Sequence, residues 1–469
     1  MKSVDCKNCY TCETDVDKSI TRERLIQIKA ERCKKCYTCE TDVDKSITAD
    51  GTLPTPEGKS RAELCQKCYA CETGIDKSVN VDNRGGQQSE QSRQGGQHFC
   101  WYFFPTNACN LTCKYCYANN QPGYIDRDTM HQILEFVFVK HKYPNVTCHF
   151  FGGEPLVMWE TVVDMVQLGN ELAKQNEVNV VWSMTTNGVL LDDLKLDFME
   201  QNFRKGNPFL LSIDGRPETH DKYRVFADGK PSHHMIPVDE ILKRFPGIEC
   251  RPTINPDTAK DWFEDFRYLR NRGFRSIAIE PNFEVDWTVE QLRDYEETLR
   301  KLGKYWIYAY RTGRRIPMKF LEAVQSRLNA QAPDNNRMCG VAYNCAGIDH
   351  RGKLYACQRY ASYNDPERYA IGDVVRGFDE YLWLETQNLF RGQVHGDVSE
   401  GYNCATCPIR LYCMKGCNAA NKKFMGSRER SLPQYCELSM IEVRVALEIL
   451  SEAGLLAAKQ NQAMGCSCK

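Results

Sequence analysis

The sequence CNLTCKYC, residues 109–116, decides the fold, and it follows an apolar run from Phe99 to Pro105. It places three thiols, Cys109, Cys113 and Cys116, on one short loop with Cys-x3-Cys-x2-Cys spacing. Three such thiolates can converge on one face of an iron–sulfur cluster. Because a [4Fe–4S] cluster normally takes four, one iron would stay open to bind a substrate or cofactor. Taken alone, the spacing also fits a three-cysteine zinc site or three buried thiols.

Strand-like and helix-like segments alternate from Phe99 to about Arg311. Helical runs span residues 128–142, 156–176 and 258–272, and Gly273 stops the last of them. Six segments are predicted as strands: 99–105, 146–151, 180–185, 209–213, 249–254 and 276–279. Six β–α units predict an α/β domain with a parallel sheet, either open or a partial barrel. Ligands of such sheets bind at the carboxyl ends of the strands, where the cysteine loop also lies.

Further motifs follow the next three predicted strands. The second strand leads into GGEP, residues 152–155, whose paired glycines let backbone approach a ligand and whose Glu154 can accept bonds from an ammonium group. The third leads into TTNG, residues 185–188, and the fourth into SIDG, residues 212–215. Asn-Gly and Asp-Gly are ordinary turn dipeptides, but their order at successive strand ends favours a ligand site. We interpret His220 as a local structural histidine rather than a base.

The cysteine loop, with Tyr115 before its last cysteine, and the GGEP motif resemble those of the radical S-adenosylmethionine (SAM) enzymes. The resemblance implies a partial (β/α)6, TIM-like barrel over residues 99–311. It also implies that the open iron binds the amino and carboxylate groups of SAM, and that an electron from the cluster cleaves SAM to a 5′-deoxyadenosyl radical. Cys109, Cys113 and Cys116 would then be the cluster ligands and catalytic residues. The implied SAM-binding residues are Tyr115 on the cysteine loop, Gly152, Gly153 and Glu154 near the amino group, Asn187, Ser212 and Asp214 near the ribose, and Arg224 or Arg251 at the carboxylate.

Eight more cysteines lie between residues 339 and 436, which is the number needed to close two [4Fe–4S] clusters. Their pattern resembles the SPASM domain, the C-terminal extension of peptide-modifying radical SAM enzymes. The resemblance implies two auxiliary [4Fe–4S] clusters, and structural zinc is the alternative. The first auxiliary set would be Cys339, Cys345, Cys357 and Cys417, and the second auxiliary set would be Cys404, Cys407, Cys413 and Cys436.

The remaining boundaries follow from composition. Residues 312–335 form a predicted polar bridge, 336–440 the cysteine-rich C-terminal domain, and 441–469 a closing helix and tail, the helix running from Met440 to Ala463. Cys466 and Cys468 in the tail have no predicted role. Cys100, Cys148 and Cys250 lie in or beside strands and are interpreted as buried thiols.

Residues 1–80 contain a three-fold repeat, and residues 81–98 form a Gly/Gln/Ser-rich linker. The copies read CKNCYTCETDVDKSI from Cys6, CKKCYTCETDVDKSI from Cys33 and CQKCYACETGIDKSV from Cys65. Nine thiols could bind zinc or further clusters, or the repeats could be the substrate, a tethered copy of it or a recognition element. Retention of Tyr, Glu-Thr and Asp-Lys-Ser goes beyond what metal ligation requires, which slightly favours the second interpretation. Duplication without selection is a third, but the spacers have diverged while the copies have not.

Bulk composition bounds the function classes. The net charge is −1, without a long block of like charge, so we expect neither a nucleic-acid nor a membrane partner. The segment after Met1 has no apolar signal core, and no run reaches the roughly 18 apolar residues that span a bilayer. The chain has 25 cysteines in clusters, which in a reducing compartment more often hold metal or do chemistry. We therefore expect a cytoplasmic protein, and exposed iron–sulfur clusters suggest growth at low oxygen.

The resemblance implies a peptide or protein substrate and a flavodoxin- or ferredoxin-type electron donor. Sulfatase maturases, which oxidise Cys or Ser to formylglycine, carry an aspartate directly after the third cysteine of the first auxiliary set. This chain has Gln358 there, which cannot take a proton as a carboxylate does. We therefore predict thioether (sulfur-to-carbon) crosslinking of a cysteine-rich peptide that resembles or includes residues 6–79. Carbon–carbon or aromatic crosslinking and formylglycine formation are the alternatives, and a non-catalytic iron–sulfur electron carrier or metal-binding scaffold is an alternative of another class.

Overall fold

The computed structural model describes residues 98–118, 121–329, 339, 341–391, 404, 406–413, 416–428 and 430–456, with backbone alone for 388–391. The repeat segment, nearly all of the linker, part of the bridge and the tail with Cys466 and Cys468 lie outside these residues. The boundaries drawn for them, and the interpretation of the repeats, therefore stay predictions.

A parallel sheet forms the centre of the barrel region, and its spatial order follows the chain. Its last two strands bend after two residues and continue as a separate parallel pair. The strands are β1 His98–Phe103, β2 Asn145–Phe150, β3 Asn179–Thr186, β4 Phe209–Leu211, β5 Glu249–Cys250, β6 Thr253–Ile254, β7 Ser276–Ile277 and β8 Glu280–Pro281. All six predicted strands are therefore confirmed, with the fifth broken into two pieces and the sixth ending at Ile277, before the separate β8.

Alternation along the strands separates an apolar face from a polar one. On the first face, Trp101 of β1 and Trp182 of β3 are almost completely buried and pack against Phe136 and Phe138 of the segment that follows the first helix. The other face carries mostly polar side chains, with Val181 as an apolar member: Cys100, Tyr102, Thr147, His149, Ser183 and Thr185. A parallel sheet covered on both sides reads as a continuous apolar run, so this alternation indicates that the polar face lines an interior site.

Helices connect the strands and cover the apolar face. They are α1 Arg127–Glu135, α2 Trp159–Gln175, α3 Asp193–Asn202, α4 Pro217–Tyr223, α5 Val238–Arg244, α6 Trp262–Arg272 and α7 Val289–Arg311. Gly273 ends α6 in the left-handed region, as predicted. The helix predicted for residues 128–142 is confirmed as far as Lys140, and its second part, Phe136–Lys140, is a π-helical turn. The second predicted helix starts later than expected, after a 3-10 turn at Pro155–Met158.

The C-terminal region extends the central sheet. Strand β9, Cys345–Ile348, pairs in parallel with the free edge of β1, and β10, Leu354–Tyr355, pairs antiparallel with β9. The other elements are α8 Lys319–Asn329, α9 Gln358–Ser362, α10 Pro366–Tyr369, β11 Gly372–Asp373, β12 Gly377–Phe378, α11 Glu380–Arg391, α12 Asn418–Met425 and α13 Pro433–Glu452. The closing helix α13 thus begins seven residues before the predicted Met440, because Pro433 occupies the first helical turn, where proline is favoured. It also ends earlier than predicted, at Glu452.

Among the described helices, we find none that combines the length and the hydropathy needed to cross a bilayer.

Candidate active site

The cysteine loop after β1, residues 109–116 and called the cluster loop below, is held by backbone contacts rather than by regular structure. Thr112 N donates to the carbonyl of Val225 at 2.8 Å, and Lys114 N donates to the carbonyl of Tyr223 at 3.0 Å. Leu111 is buried and anchors the loop in the core. The thiols remain accessible in part: Cys109 and Cys113 are half-buried and Cys116 is exposed.

The GGEP motif lies directly against the segment that leads into the cluster loop. Gly153 N donates to the Thr106 carbonyl at 3.1 Å, and Glu154 N donates to the Ala108 carbonyl at 2.9 Å. A Cβ atom on Gly153 would lie 2.1 Å from the Ala108 oxygen, closer than any side chain permits. The paired glycines therefore let two rim loops touch through their backbones.

Glu154 is buried beneath this contact. Its carboxylate accepts bonds from Thr186 Oγ1 at 2.8 Å, from the backbone N of Asn187 at 2.8 Å and from the backbone N of Leu156 at 3.2 Å. Burial raises the pKa of Glu154 to about 7 despite these donors. Glu154 thus joins the second rim motif to the third, and its contact with the SAM amino group stays a prediction.

Asn187 joins the third rim motif to the cluster loop. Its Nδ2 donates to Asn110 Oδ1 at 2.8 Å and lies 3.9 Å from Cys109 Sγ. Asn110 was not among the predicted site residues, since nothing in the sequence marks it except its position after Cys109. Its Nδ2 is buried and has no hydrogen-bond partner within the described part of the chain.

Asp214 accepts hydrogen bonds from residues on the other side of the cluster loop. Its Oδ2 accepts bonds from Tyr115 Oη at 2.6 Å and from Arg224 Nε at 3.0 Å, and its Oδ1 accepts one from the backbone N of Thr253 at 3.0 Å. The Arg224 guanidinium also lies 5.3 Å from the centre of the Tyr115 ring. Burial acts to lower the pKa of Arg224, but Asp214, Tyr115 and Cys113 outweigh it and raise the pKa above its usual value. A permanent cation therefore stands beside Cys113.

His220 supports the Asp214–Arg224 ion pair through hydrogen bonds. Asp214 N donates to His220 Nδ1 at 3.3 Å, His220 Nε2 lies 3.1 Å from Ser232 Oγ, and Ser232 Oγ donates to the Arg224 carbonyl at 2.7 Å. These bonds fit the neutral tautomer with its proton on Nε2. Burial, followed by the nearby Arg224, lowers the pKa of His220 to about 2. Both observations agree with a structural role.

The two arginines predicted for the SAM carboxylate lie in different places. Arg224 stands at the cluster loop, whereas the Arg251 guanidinium donates to Glu280 Oε1 at 2.8 Å. Burial and the charge of Arg251 lower the pKa of His149 to about 3, which puts Arg251 near the polar face. Ser212, predicted at the ribose, extends the hydrogen bonding between β3 and β4 at the rim, since its N donates to the Thr186 carbonyl at 2.9 Å. The individual SAM contacts of these residues stay predictions.

The structure brings the members of each auxiliary set close enough to interact electrostatically. Cys357 interacts with Cys339 and Cys417, and Cys345 interacts with Cys357 and Cys339. In the second set, Cys436 interacts with Cys413, Cys404 and Cys407. Across the described ranges, no three His, Cys, Asp or Glu side chains form a site for a single metal ion. In a [4Fe–4S] cluster each of the four thiolates binds a separate iron. Proximity within each set is therefore more relevant to cluster binding than a site for a single ion.

The residues present fit iron–sulfur clusters. Burial raises the pKa of Cys109 to about 12 and that of Cys113 to about 11, so these thiols stay protonated at neutral pH unless a metal cation stabilises the thiolates. Buried donors that find no hydrogen-bond partner among the described residues lie beside both sites: Asn110 Nδ2 at the cluster loop, and Arg359 Nε and Asn418 Nδ2 in residues that follow Cys357 and Cys417. An unpaired buried donor costs about 1–3 kcal/mol, which cluster sulfur atoms would offset by accepting the bond.

Comparison with known proteins agrees with this geometry. Residues 103–279 match the model of the radical SAM superfamily. The cysteine-type anaerobic sulfatase-maturating enzyme of Clostridium novyi (strain NT) is 26% identical over 330 residues, covering 66% of this chain and 84% of that protein. The radical SAM cyclopropyl synthase TigE of Paramaledivibacter caminithermalis is 20% identical over 371 residues, covering 73% of this chain and 72% of that protein.

A solved structure shares the fold. Native anSMEcpe with bound AdoMet and Cp18Cys peptide superposes with a TM-score of 0.61 at 19% identity, covering 76% of this chain and 99% of that one. The superfamily match implies SAM and a [4Fe–4S] cluster as cofactors, and the cluster loop supplies three thiols for that cluster. Residues 103–279 are thus a radical SAM domain, and the chain is a radical SAM enzyme.

Proposed function

We propose that this enzyme cleaves SAM reductively to a 5′-deoxyadenosyl radical and uses the radical to form thioether crosslinks in a cysteine-rich peptide. The observation that carries the proposal is the pairing of β9 with β1, which sets Cys345 of the first auxiliary set in register with Cys100 on the strand that leads into the cluster loop. Radical generation and an auxiliary cluster would then face one interior site.

The polar face supports a peptide substrate. His149 Nε2 lies 2.8 Å from Thr185 Oγ1, and the rings of His149 and Tyr102 are 5.3 Å apart. The same face holds the Arg251–Glu280 ion pair, with Lys319 Nζ 3.9 Å from Glu280. Hydrogen-bonding groups and paired charges suit a peptide backbone better than an apolar small molecule. One of the two named relatives is a sulfatase-maturating enzyme, and anSMEcpe was solved with a peptide.

Gln358 favours crosslinking over formylglycine formation. It opens α9 directly after the buried Cys357 and offers no carboxylate to take a proton. Glu284, the carboxylate that pairs with the neighbouring Arg359, is engaged in that ion pair. The likeness to sulfatase-maturating enzymes keeps formylglycine formation as the second candidate.

Thioether formation balances with the proposed cofactors. The 5′-deoxyadenosyl radical takes a hydrogen atom from a substrate carbon, the substrate thiol loses a proton, and one electron leaves as the carbon–sulfur bond forms. An auxiliary cluster would supply the electron acceptor, and a flavodoxin- or ferredoxin-type donor in the cytoplasm would supply the electron that cleaves SAM. Residues 6–79 place cysteines beside Glu, Thr and Asp, so they, or a separate peptide resembling them, are the proposed substrate.

Anaerobic incubation of the full chain with SAM and dithionite tests the proposal, with CKKCYTCETDVDKSI added as a separate peptide. We expect 5′-deoxyadenosine and a loss of two hydrogens per linkage, with one fewer alkylatable thiol for each. A loss of two hydrogens with all thiols retained would indicate carbon–carbon or aromatic crosslinking, and an aldehyde that reacts with a hydrazide would indicate formylglycine.

The matched control is Cys113→Ala, which removes one cluster ligand. If the parent chain and Cys113→Ala both released no 5′-deoxyadenosine, the chain would be an electron carrier or scaffold. If the parent released 5′-deoxyadenosine while the masses of both the repeats and the added peptide stayed unchanged, the repeats would not be the substrate.

A further inference from the structure

The Arg359 side chain joins the cluster loop to the first auxiliary set. Its guanidinium carbon lies 4.0 Å from the centre of the Tyr117 ring and 4.9 Å from the centre of the Phe283 ring. Tyr117 follows Cys116, and Arg359 lies two residues after Cys357. The guanidinium also pairs with Glu284, and both side chains are mostly buried. One planar cation is thus clamped between residues that adjoin two cysteine sites.

The charge of Arg359 lies within electrostatic reach of the first auxiliary set. Arginine stays protonated in proteins, and among the cysteines Cys417 interacts with this guanidinium most strongly. Its Nε is buried and has no hydrogen-bond partner in the structure as described. Asn418, next to Cys417, shows the same feature: Tyr360 Oη donates to its Oδ1 at 2.5 Å, while its Nδ2 is unpaired.

We propose that Arg359 is a positioning residue that holds a positive charge and an N–H donor against the first auxiliary set, and so raises the reduction potential of the cluster bound there. The inference rests on the proposed function, because it requires that set to hold a cluster. One-electron reduction adds a negative charge to a cluster, and a nearby cation and hydrogen bonds to its sulfur atoms stabilise the reduced form. A higher potential makes the cluster a better acceptor of the electron that crosslinking releases.

The planar contact explains why arginine serves here. Arginine stacks on aromatic faces and donates from a rigid fork, whereas lysine carries a flexible point charge. Tyr117 also ties the guanidinium to the cluster loop, so a shift of that loop would move the charge. The sequence showed Arg359 only as an arginine near Cys357, because the stack forms between residues more than 240 positions apart.

The test is a potentiometric titration followed by electron paramagnetic resonance on the full chain. A background variant with alanine at Cys109, Cys113 and Cys116 removes the signal of a cluster bound by the cluster loop. Arg359→Gln, which removes the charge, should shift one auxiliary midpoint potential to lower values. Arg359→Lys should shift the same potential less, and the second cluster should stay unchanged as an internal reference. Arg368→Gln is the matched control, since Arg368 lies 5.1 Å from the Tyr369 ring in a similar cation–aromatic contact.

Iron content separates the possible failures. If the background variant binds no auxiliary iron, the two-cluster part of the proposed function fails. If Arg359→Gln holds the parent's iron and its potential does not move, the inference on Arg359 is overturned while the proposed function stands. Should Arg359→Gln lose iron, Arg359→Lys decides: a lowered potential supports the inference, and the parent's potential overturns it.

Discussion

The cluster loop and the first auxiliary set assemble their cysteines in opposite ways. The cluster loop carries its three cysteines within eight residues, and backbone contacts with neighbouring rim loops hold it in place. The first auxiliary set draws one cysteine from β9 and two from the residues that precede α9 and α12, with Cys345 and Cys357 buried. A local motif thus brings the cluster-loop cysteines together, whereas the cysteines of the first auxiliary set meet only when the C-terminal region adds to the sheet.

The largest expected effect separates the two sites by function. Cys113→Ala should reduce 5′-deoxyadenosine release below detection, because the loop then keeps two of its three thiols. Cys345→Ala should leave SAM cleavage in place and abolish the crosslinked peptide. Chromatography of 5′-deoxyadenosine and mass spectrometry of the peptide measure the two outcomes.

Cys148→Ala is the control for this pair, since Cys148 is buried in β2 outside both sets. It should cost stability alone. If Cys345→Ala also stopped SAM cleavage while the cluster-loop iron was retained, the functional separation would be wrong.

The second effect probes the ion pair behind the cluster loop. Asp214→Asn leaves the Arg224 cation unpaired in a site where the two side chains are 1% and 9% exposed. Breaking a buried pair from one side costs about 3–5 kcal/mol. We expect a loss of that size in the free energy of unfolding of the apoprotein, measured with urea, and weaker SAM binding by the reconstituted enzyme.

Glu297→Gln provides the contrast, because Glu297 and Lys301 form an exposed pair on α7. Such pairs contribute roughly 0–1 kcal/mol. Equal losses in the two variants would mean that Asp214 is not the anchor of the loop.

The sequence alone predicted the features that depend on local motifs better than those assembled from distant residues. The six strands and the motifs at their ends were predictable, since alternation and turn residues act over a few positions and parallel strands bring their carboxyl ends together. Glu154 and Asp214 were correctly placed at the rim. Their roles as anchors were not predicted, because Thr186, Asn187 and Thr253 bind them from other loops.

What could not be predicted depends on distant pairing. No local signal shows that β9 pairs with β1, because strand register is chosen by the whole sheet. The stack of Arg359 on Tyr117 follows from that pairing. The grouping of the auxiliary cysteines came from family resemblance and not from spacing, and for the same reason it stays a prediction about metal ligation.

A third prediction uses pH to test the anchor under the rim. Glu154 has a pKa of about 7 in the folded chain against its ordinary value of 4.5, so between these values the folded state holds a proton that the unfolded state has released. The contribution of Glu154 to the free energy of unfolding therefore falls as pH rises from about 4.5 to 7, by at most about 3 kcal/mol. Urea unfolding of the apoprotein at pH 5 and pH 8 should show a smaller fall for Glu154→Gln than for the parent. An identical fall would mean that Glu154 titrates normally.

The smallest effect concerns the helix that carries Cys436 of the second auxiliary set. Tyr295 of α7 is buried, and its hydroxyl donates to Glu442 Oε1 of α13 at 2.7 Å. Tyr295→Phe removes one bond to a carboxylate, so we expect a loss of about 1.5–3 kcal/mol in the free energy of unfolding. Tyr308→Phe on the same helix is the control, because Tyr308 is 64% exposed and should cost nothing measurable.

Iron content and 5′-deoxyadenosine release should remain at the parent's level in Tyr295→Phe, since the bond supports the position of α13 and touches no cysteine directly. The second auxiliary set gathers on Cys436 at the start of that helix, so its sensitivity to a contact almost two turns away measures how far a distributed site depends on packing. Loss of iron in Tyr295→Phe alone would show that the auxiliary sets, unlike the cluster loop, cannot tolerate small movements of the elements that hold them.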